Sequence, residues 1–174
     1  HWYEESSLGL FTANGVVGVR QMFGQPKHLD WRKRAEQGSM VGPRWIVGSP
    51  IVDGPKPMWK GSIELKSPEE AKALVTKLKS EGWDFIKVYE SLSAEVYREL
   101  ALEAKLQKMQ FEGHLPLAIN VLEAGRLGQR TIEHLGNIRQ SCTPFEADYR
   151  SMIEKAMAAP DREKALNAGY AEFD

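Results

Sequence analysis

Short apolar runs rich in β-branched residues alternate along this chain with longer segments in which apolar positions recur every three or four residues. Runs of the first kind suit strands, and segments of the second kind suit amphipathic helices. Five strands are expected, at 15–23 (GVVGVRQMF), 44–52 (RWIVGSPIV), 84–89 (DFIKVY), 110–116 (QFEGHLP) and 130–136 (RTIEHLG). Helical spacing occupies 27–38, 67–82, 93–109 and 118–129, and Met152, Ile153, Ala156 and Met157 continue it beyond about Pro144.

The clearest helix is 67–82. Ser67 stands at the N-cap, Pro68 at the first helical position and Glu70 at the third, the pattern of a capping box. Ala71, Leu74, Val75 and Leu78 form one apolar stripe, and Gly82 stops the helix. Ser93 caps the next, which carries Val96, Leu100 and Ala104 on one face. Gly38 ends 27–38, and Gly125 or Gly128 ends 118–129. The Gly/Pro-rich stretch 53–62 is too broken for regular structure and reads as a loop.

Strand–helix alternation implies a parallel sheet with right-handed crossovers. An open doubly wound sheet normally carries a Gly-rich phosphate turn after an early strand, and neither GxGxxG nor the P-loop pattern occurs. A (β/α)₈ barrel takes about 250 residues and eight strands. With 174 residues and five strand candidates, the expectation is an α/β fold that forms part of such a barrel. No linker or low-complexity tract divides the chain, so residues 1–174 are expected to form a single domain.

Composition narrows the function classes. Hydrophobic residues make up 42% and charged residues 27%, which suits a globular core. Basic and acidic residues number 23 and 24, and the net charge of −1 gives no field for recruiting nucleic acid. The run Arg32, Lys33, Arg34 reads as a solvated helix face. Cys142 is the sole cysteine, which excludes an internal disulfide and a Cys-based zinc site. No apolar run reaches the length of a membrane span.

The candidate chemistry starts at Lys87, an ammonium in the middle of the most strand-like run. By strand alternation it shares a face with Phe85 and Tyr89. Burial there lowers the pKa of the amine. A neutral amine can form a Schiff base with a carbonyl substrate. It can also add carbon dioxide to give a carbamate, whose two oxygens suit bridging two divalent cations. His114 and His134 follow at intervals of 27 and 20 residues, each about one strand–helix unit. Ligands and catalytic groups of parallel α/β folds gather at C-terminal strand ends. The three residues should therefore lie side by side on one rim. A Schiff-base lysine has no need of the histidines, whereas a carbamate bridge uses imidazoles to complete coordination.

The segments LFTANGVVGVRQMFG, VGPRWIVGSPIVDGPKP, DFIKVY, FEGHLP and TIEHLG, in this order, resemble the amidohydrolase superfamily. Within it they are closest to the imidazolonepropionase-like and Xaa-Pro-dipeptidase-like branch. The resemblance implies a (β/α)₈ barrel with one or two divalent metals, usually zinc. It matches Lys87 to the carbamylated bridging lysine of the fourth strand, His114 to the histidine of the fifth and His134 to that of the sixth. It makes His1 the second member of a His-x-His pair that closes the first strand. The family's eighth strand supplies a catalytic aspartate; Asp148, Asp161 and Asp174 stand in no such strand context, and none takes the role. The chain is thus expected to be an internal portion of a barrel, about strands two to six.

The activity implied is metal-dependent hydrolysis of amide or peptide bonds, by a dipeptidase or an N-acyl amino acid hydrolase. The partner is then a small molecule or dipeptide, with Arg20 and Tyr89 placed to contact its carboxylate or carbonyl. Arg20 reads equally as a structural ion-pair partner, and Tyr89 as a core aromatic. Two alternatives stay open: a Schiff-base lyase using Lys87, and a non-catalytic truncated module. The module would associate with itself or another chain through exposed strand edges.

Overall fold

The structure, a computed structural model, describes residues 4–171. A 3₁₀ turn, Glu5–Ser7, leads into α1 (Leu8–Ala13). Then follow β1 (Gly18–Gln21), α2 (Pro26–Glu36), β2 (Arg44–Asp53), the two-residue β3 (Ile63–Glu64), α3 (Pro68–Ser80) and β4 (Phe85–Val88). The chain continues through α4 (Ala94–Leu106), β5 (Gln110–Gly113), α5 (Val121–Leu127), α6 (Glu146–Ala158) and α7 (Arg162–Tyr170). The strands form one parallel sheet in the order β1-β2-β4-β5, with β3 beside β2. This is the expected α/β architecture, a parallel sheet flanked by helices that makes up part of a barrel. Among the described residues, no helix is long and apolar enough to cross a membrane.

Register sorts the side chains into two faces. Arg20 pairs with Ile46, Ile51 with Lys87, and Lys87 with Glu112. Aligned residues of parallel neighbours point the same way, so this set shares the inner face. Ile86, Val88 and Phe111 point outward into the main core. There they pack with Ala71, Val75 and Leu78 of α3 and with Leu100 and Ala104 of α4, all almost fully buried. The helices therefore cover one face of the sheet and leave polar groups on the other.

The register of β2 against β4 shifts between Gly48 and Ile51. Pro50 has no N–H to offer the ladder. The Ser49 hydroxyl repairs the gap: it accepts the Lys87 N–H at 3.0 Å and donates to the Pro50 carbonyl at 2.7 Å. This irregularity fixes the backbone of the residue whose side chain matters most.

Several expectations are corrected. Residues 130–136 do not form a strand. Only Ile132 bridges to Gly113, and a 3₁₀ turn, Glu133–Leu135, follows with His134 in the left-handed region at φ 60°. Two backbone bonds join this segment to β5, Arg130 N–H to the Phe111 carbonyl at 3.2 Å and Gly113 N–H to the Thr131 carbonyl at 3.3 Å, before left-handed backbone at His134 and Leu135 turns the chain away. The Gln129 side-chain amide adds to this junction by donating to the carbonyls of Gly113, His114 and Thr131 at 2.9–3.3 Å. The first strand starts only at Gly18, because Val16 N–H returns to the Phe11 carbonyl to close α1. Ser67 makes no capping bond; Glu70 instead reaches back to the Lys66 N–H at 3.0 Å. Ser93 does cap α4, accepting the Val96 N–H, and Gly128 ends α5 in the left-handed conformation. The C-terminal helical stretch divides into α6 and α7, whose Tyr149 and Ile153 pack with Leu117 in a smaller core above β5.

Candidate active site

Lys87 occupies the third position of β4, a strand whose four residues are all buried, and only 2% of the residue is exposed. Gly113, on the neighbouring strand, makes room for it. A Cβ there would lie 3.0 Å from Lys87 Cδ and 2.3 Å from the Val88 carbonyl oxygen, at a φ of 137°. Burial lowers the Lys87 pKa to about 8. Glu133 opposes the shift, Arg20 adds to it, and Glu90 and Glu112 oppose it.

His114 follows β5 directly, its N–H bonded to the Val88 carbonyl. Its ring stacks on Tyr89 with centroids 4.2 Å apart and meets His134 edge-on at 5.1 Å. Lys87 Nζ lies 6.0 Å from the centroid of the same Tyr89 ring. The structure thus gathers Lys87, Tyr89, His114 and His134 on one rim, at the C-terminal ends of β4 and β5. His134 arrives there on a turn rather than on a strand. His1 lies outside the described residues.

Arg20 reaches the same place from β1. Its guanidinium holds Glu112 at 2.6 Å and Glu133 at 2.8 Å, and Thr131 donates to Glu133 at 2.7 Å. In the chain as it stands, Arg20 is an ion-pair partner within the site. Tyr89 is buried, and its oxygen accepts the Trp59 indole N–H at 2.8 Å from the loop after β2. Asp53 anchors the start of that loop by accepting the N–H groups of Gly54 and Ser91.

Three carboxylates were missed in the sequence: Glu90, Glu112 and Glu133. Glu90 Oε1 lies 2.8 Å from His114 Nδ1. Glu112 could have been found by alternation, since it stands two residues before His114 and shares its face. Glu90 follows the end of β4 and Glu133 opens a 3₁₀ turn, positions where acids are common and carry little signal. A cleft of about 1030 Å³ opens beside the rim. Glu90, Leu117, Arg150, Ile153 and Arg162 are among its lining residues.

Among the described residues, no three His, Cys, Asp or Glu side chains form a ready group of metal ligands. The nitrogen donors of the rim are two imidazoles in contact and a lysine whose amine lies 6.0 Å from the centre of the Tyr89 ring on which His114 stacks. They suit a divalent cation on one chemical condition, that Lys87 offers oxygen rather than an ammonium.

Solved structures resemble the chain. Bottromycin amidohydrolase superposes with a TM-score of 0.71 at 26% identity, over 89% of this chain and 36% of its own. A crystal structure of an amidohydrolase gives a TM-score of 0.61 at 17% identity, over 96% of this chain and 53% of its own. A provisionally named prolidase from Bifidobacterium longum gives 0.53 at 22% identity, over 63% of this chain and 30% of its own. The chain therefore spans between about a third and a half of the length of these proteins. No protein-family model matches it, and no curated protein matches it. The resemblance to amidohydrolases read from the five motifs holds in three dimensions.

Proposed function

We propose that this chain carries the metal-holding rim of a hydrolase that cleaves carbon–nitrogen bonds of amides or small peptides. One observation supports the reading above the others. Two histidines in contact, and a buried lysine beside the tyrosine ring on which one of them stacks, stand on one rim of a sheet that superposes on bottromycin amidohydrolase, a protein named for amide hydrolysis.

Lys87, His114 and His134 would hold one or two divalent cations, with zinc favoured by the mixed nitrogen and oxygen donors. When bound, such a cation polarises a carbonyl and brings the pKa of a coordinated water from ~15.7 towards ~7. The chain's own residues prepare the site. With its pKa brought to about 8, Lys87 has a populated neutral form near neutral pH. The neutral amine adds carbon dioxide: a new N–C bond forms, one proton leaves to solvent, and a carbamate results. The charge at residue 87 then changes from positive to negative beside Arg20, which favours the anion. Glu90, Glu112 and Glu133 oppose that anion, so a divalent cation is needed to balance the cluster.

Tyr89 is built to remain a donor. Burial raises its pKa, with the Trp59 hydrogen bond acting against the shift. Trp59 donates to the phenol oxygen, and the phenol O–H donates to the Met58 sulfur at 4.0 Å, a weak acceptor that a substrate carbonyl or carboxylate would replace. The cleft lined by Glu90 has the volume of a small-molecule site, and Arg20, Lys87, Tyr89, His114 and His134 are not among its lining residues.

The test is hydrolysis of a panel of dipeptides and N-acyl amino acids by the protein carrying this sequence, with zinc and bicarbonate supplied. Zinc should support turnover of at least one member. Lys87→Ala, His114→Ala and His134→Ala should each lower kcat/KM at least ~100-fold. Wild-type rates in all three variants would remove the proposal.

A further inference from the structure

The loop between β2 and β3 carries two large apolar side chains that the rim chemistry does not use. Met58 is 64% exposed and Trp59 is 50% exposed. Both are joined to one phenol: the Trp59 indole N–H donates to Tyr89 Oη at 2.8 Å, and Tyr89 Oη lies 4.0 Å from Met58 Sδ. Tyr89 itself packs with Phe23 and Ile51 in a small buried cluster. The same ring stacks on His114, and Lys87 Nζ lies 6.0 Å from its centre. A single aromatic side chain therefore links the indole to the groups proposed to hold the cation.

The loop is anchored along its length. Asp53 accepts the N–H groups of Gly54 and Ser91 through Oδ1, and that of Leu65 through its carbonyl at 2.8 Å. A Cβ on Gly54 would lie 1.9 Å from the Ser91 carbonyl oxygen, so the root of the loop is pressed against the segment that follows β4. Further on, the Ser62 N–H donates to the Trp59 carbonyl at 3.1 Å and closes a turn. That turn sits against Phe23, whose Cζ would lie 3.8 Å from a Cβ on Gly61. Met58 and Trp59 are thus held in place before any molecule arrives, and a preorganised wall loses little freedom on binding.

An indole face and a thioether both receive apolar groups, and the thioether adapts to their shape. An indole face also receives cations. Here Lys56 and Lys60 flank the pair along the loop, and their charge disfavours a cationic side chain. We propose that Met58 and Trp59 form the wall that receives the substrate side chain beside the scissile bond. The substrates are then N-acyl amino acids or dipeptides with an aromatic or large aliphatic side chain at that position. This rests on the reading of the rim as the place of hydrolysis, whereas binding to the wall is measurable without metal.

The experiment has two readouts. In ¹H–¹⁵N spectra of the metal-free protein, the Trp59 indole N–H (identified by its loss in Trp59→Phe) is followed on addition of N-acetyl-phenylalanine, N-acetyl-glycine or N-acetyl-arginine. With zinc and bicarbonate supplied, kcat/KM is measured for the same three compounds. The phenylalanine derivative should shift the indole resonance saturably and be hydrolysed in preference to the other two. Trp59→Ala should lower the preference for phenylalanine over glycine by ~10- to 100-fold. Trp59→Phe keeps an aromatic face and should retain most of that preference, and Met58→Ser should lower it ~3-fold or more. An indole resonance that N-acetyl-phenylalanine leaves unmoved, or that the glycine or arginine derivative moves as far, overturns the proposal. So does a preference that stays within twofold of wild type in Trp59→Ala. If Trp59→Ala does not fold, Met58→Ser, altered at a mostly exposed side chain, decides the preference. If no dipeptide or N-acyl amino acid is turned over, the hydrolase reading fails, while the indole titration still decides the wall.

Discussion

At the scale of the residue, Lys87 stands out because its buried environment is hostile to its charge. The folded state holds its pKa near 8, below the ~10.4 of an unfolded chain. Below pH 8 both states bind the proton and the penalty is constant. Between pH 8 and about 10.4 the unfolded state binds more protons, so this group makes stability rise with pH. Lys87→Met removes the titrating group and keeps most of the volume. In metal-free, carbon dioxide-free buffer, the urea midpoint of wild type should therefore gain on that of Lys87→Met between pH 7.5 and 10. A constant difference over that range would contradict the buried-amine account. Lys87 was legible in the sequence because an ammonium interrupts an apolar alternating run. Glu90 was not, because its partner is a ring 24 residues away.

At the scale of the element, the end of β5 is the most constrained backbone of the site. Gly113 has a φ of 137° and lies against the Val88 carbonyl and the Lys87 side chain. A side chain there meets backbone, which cannot yield as a flexible side chain does. Gly113→Ala should cost roughly 2–4 kcal/mol of stability, read as a lower urea midpoint. A midpoint equal to wild type would show that β4 and β5 separate easily at this point. The strands and helices with regular spacing were legible: β2, β4, α3, α4 and α5 lie close to where periodicity puts them. The sixth strand was misread for a physical reason. Its pattern is that of a strand and it begins as one, with Arg130 N–H on the Phe111 carbonyl and Gly113 N–H on the Thr131 carbonyl, but the chain turns after a single bridge at Ile132. No local signal in 130–136 reveals the left-handed backbone at His134 and Leu135 that makes the turn.

At the scale of the whole molecule, one face of a parallel sheet carries helices and the other carries charge. The inner face presents Arg20, Lys87 and Glu112, and Ile46 on it is 44% exposed. Among the described residues β1 pairs only with β2, so it forms an edge of the sheet. The fold class was legible because strand–helix alternation without a phosphate turn leaves few architectures. The nitrogens of the candidate site were named from their spacing along the chain, whereas the three carboxylates and the cleft depend on how distant segments meet. The central claim, that Lys87 as a carbamate joins His114 and His134 around a divalent cation, is tested most directly by zinc stoichiometry of the purified protein with and without bicarbonate. The account predicts tight zinc binding that requires bicarbonate and is lost in Lys87→Ala, His114→Ala and His134→Ala alike. Zinc bound equally without bicarbonate, or equally by all three variants, would contradict it.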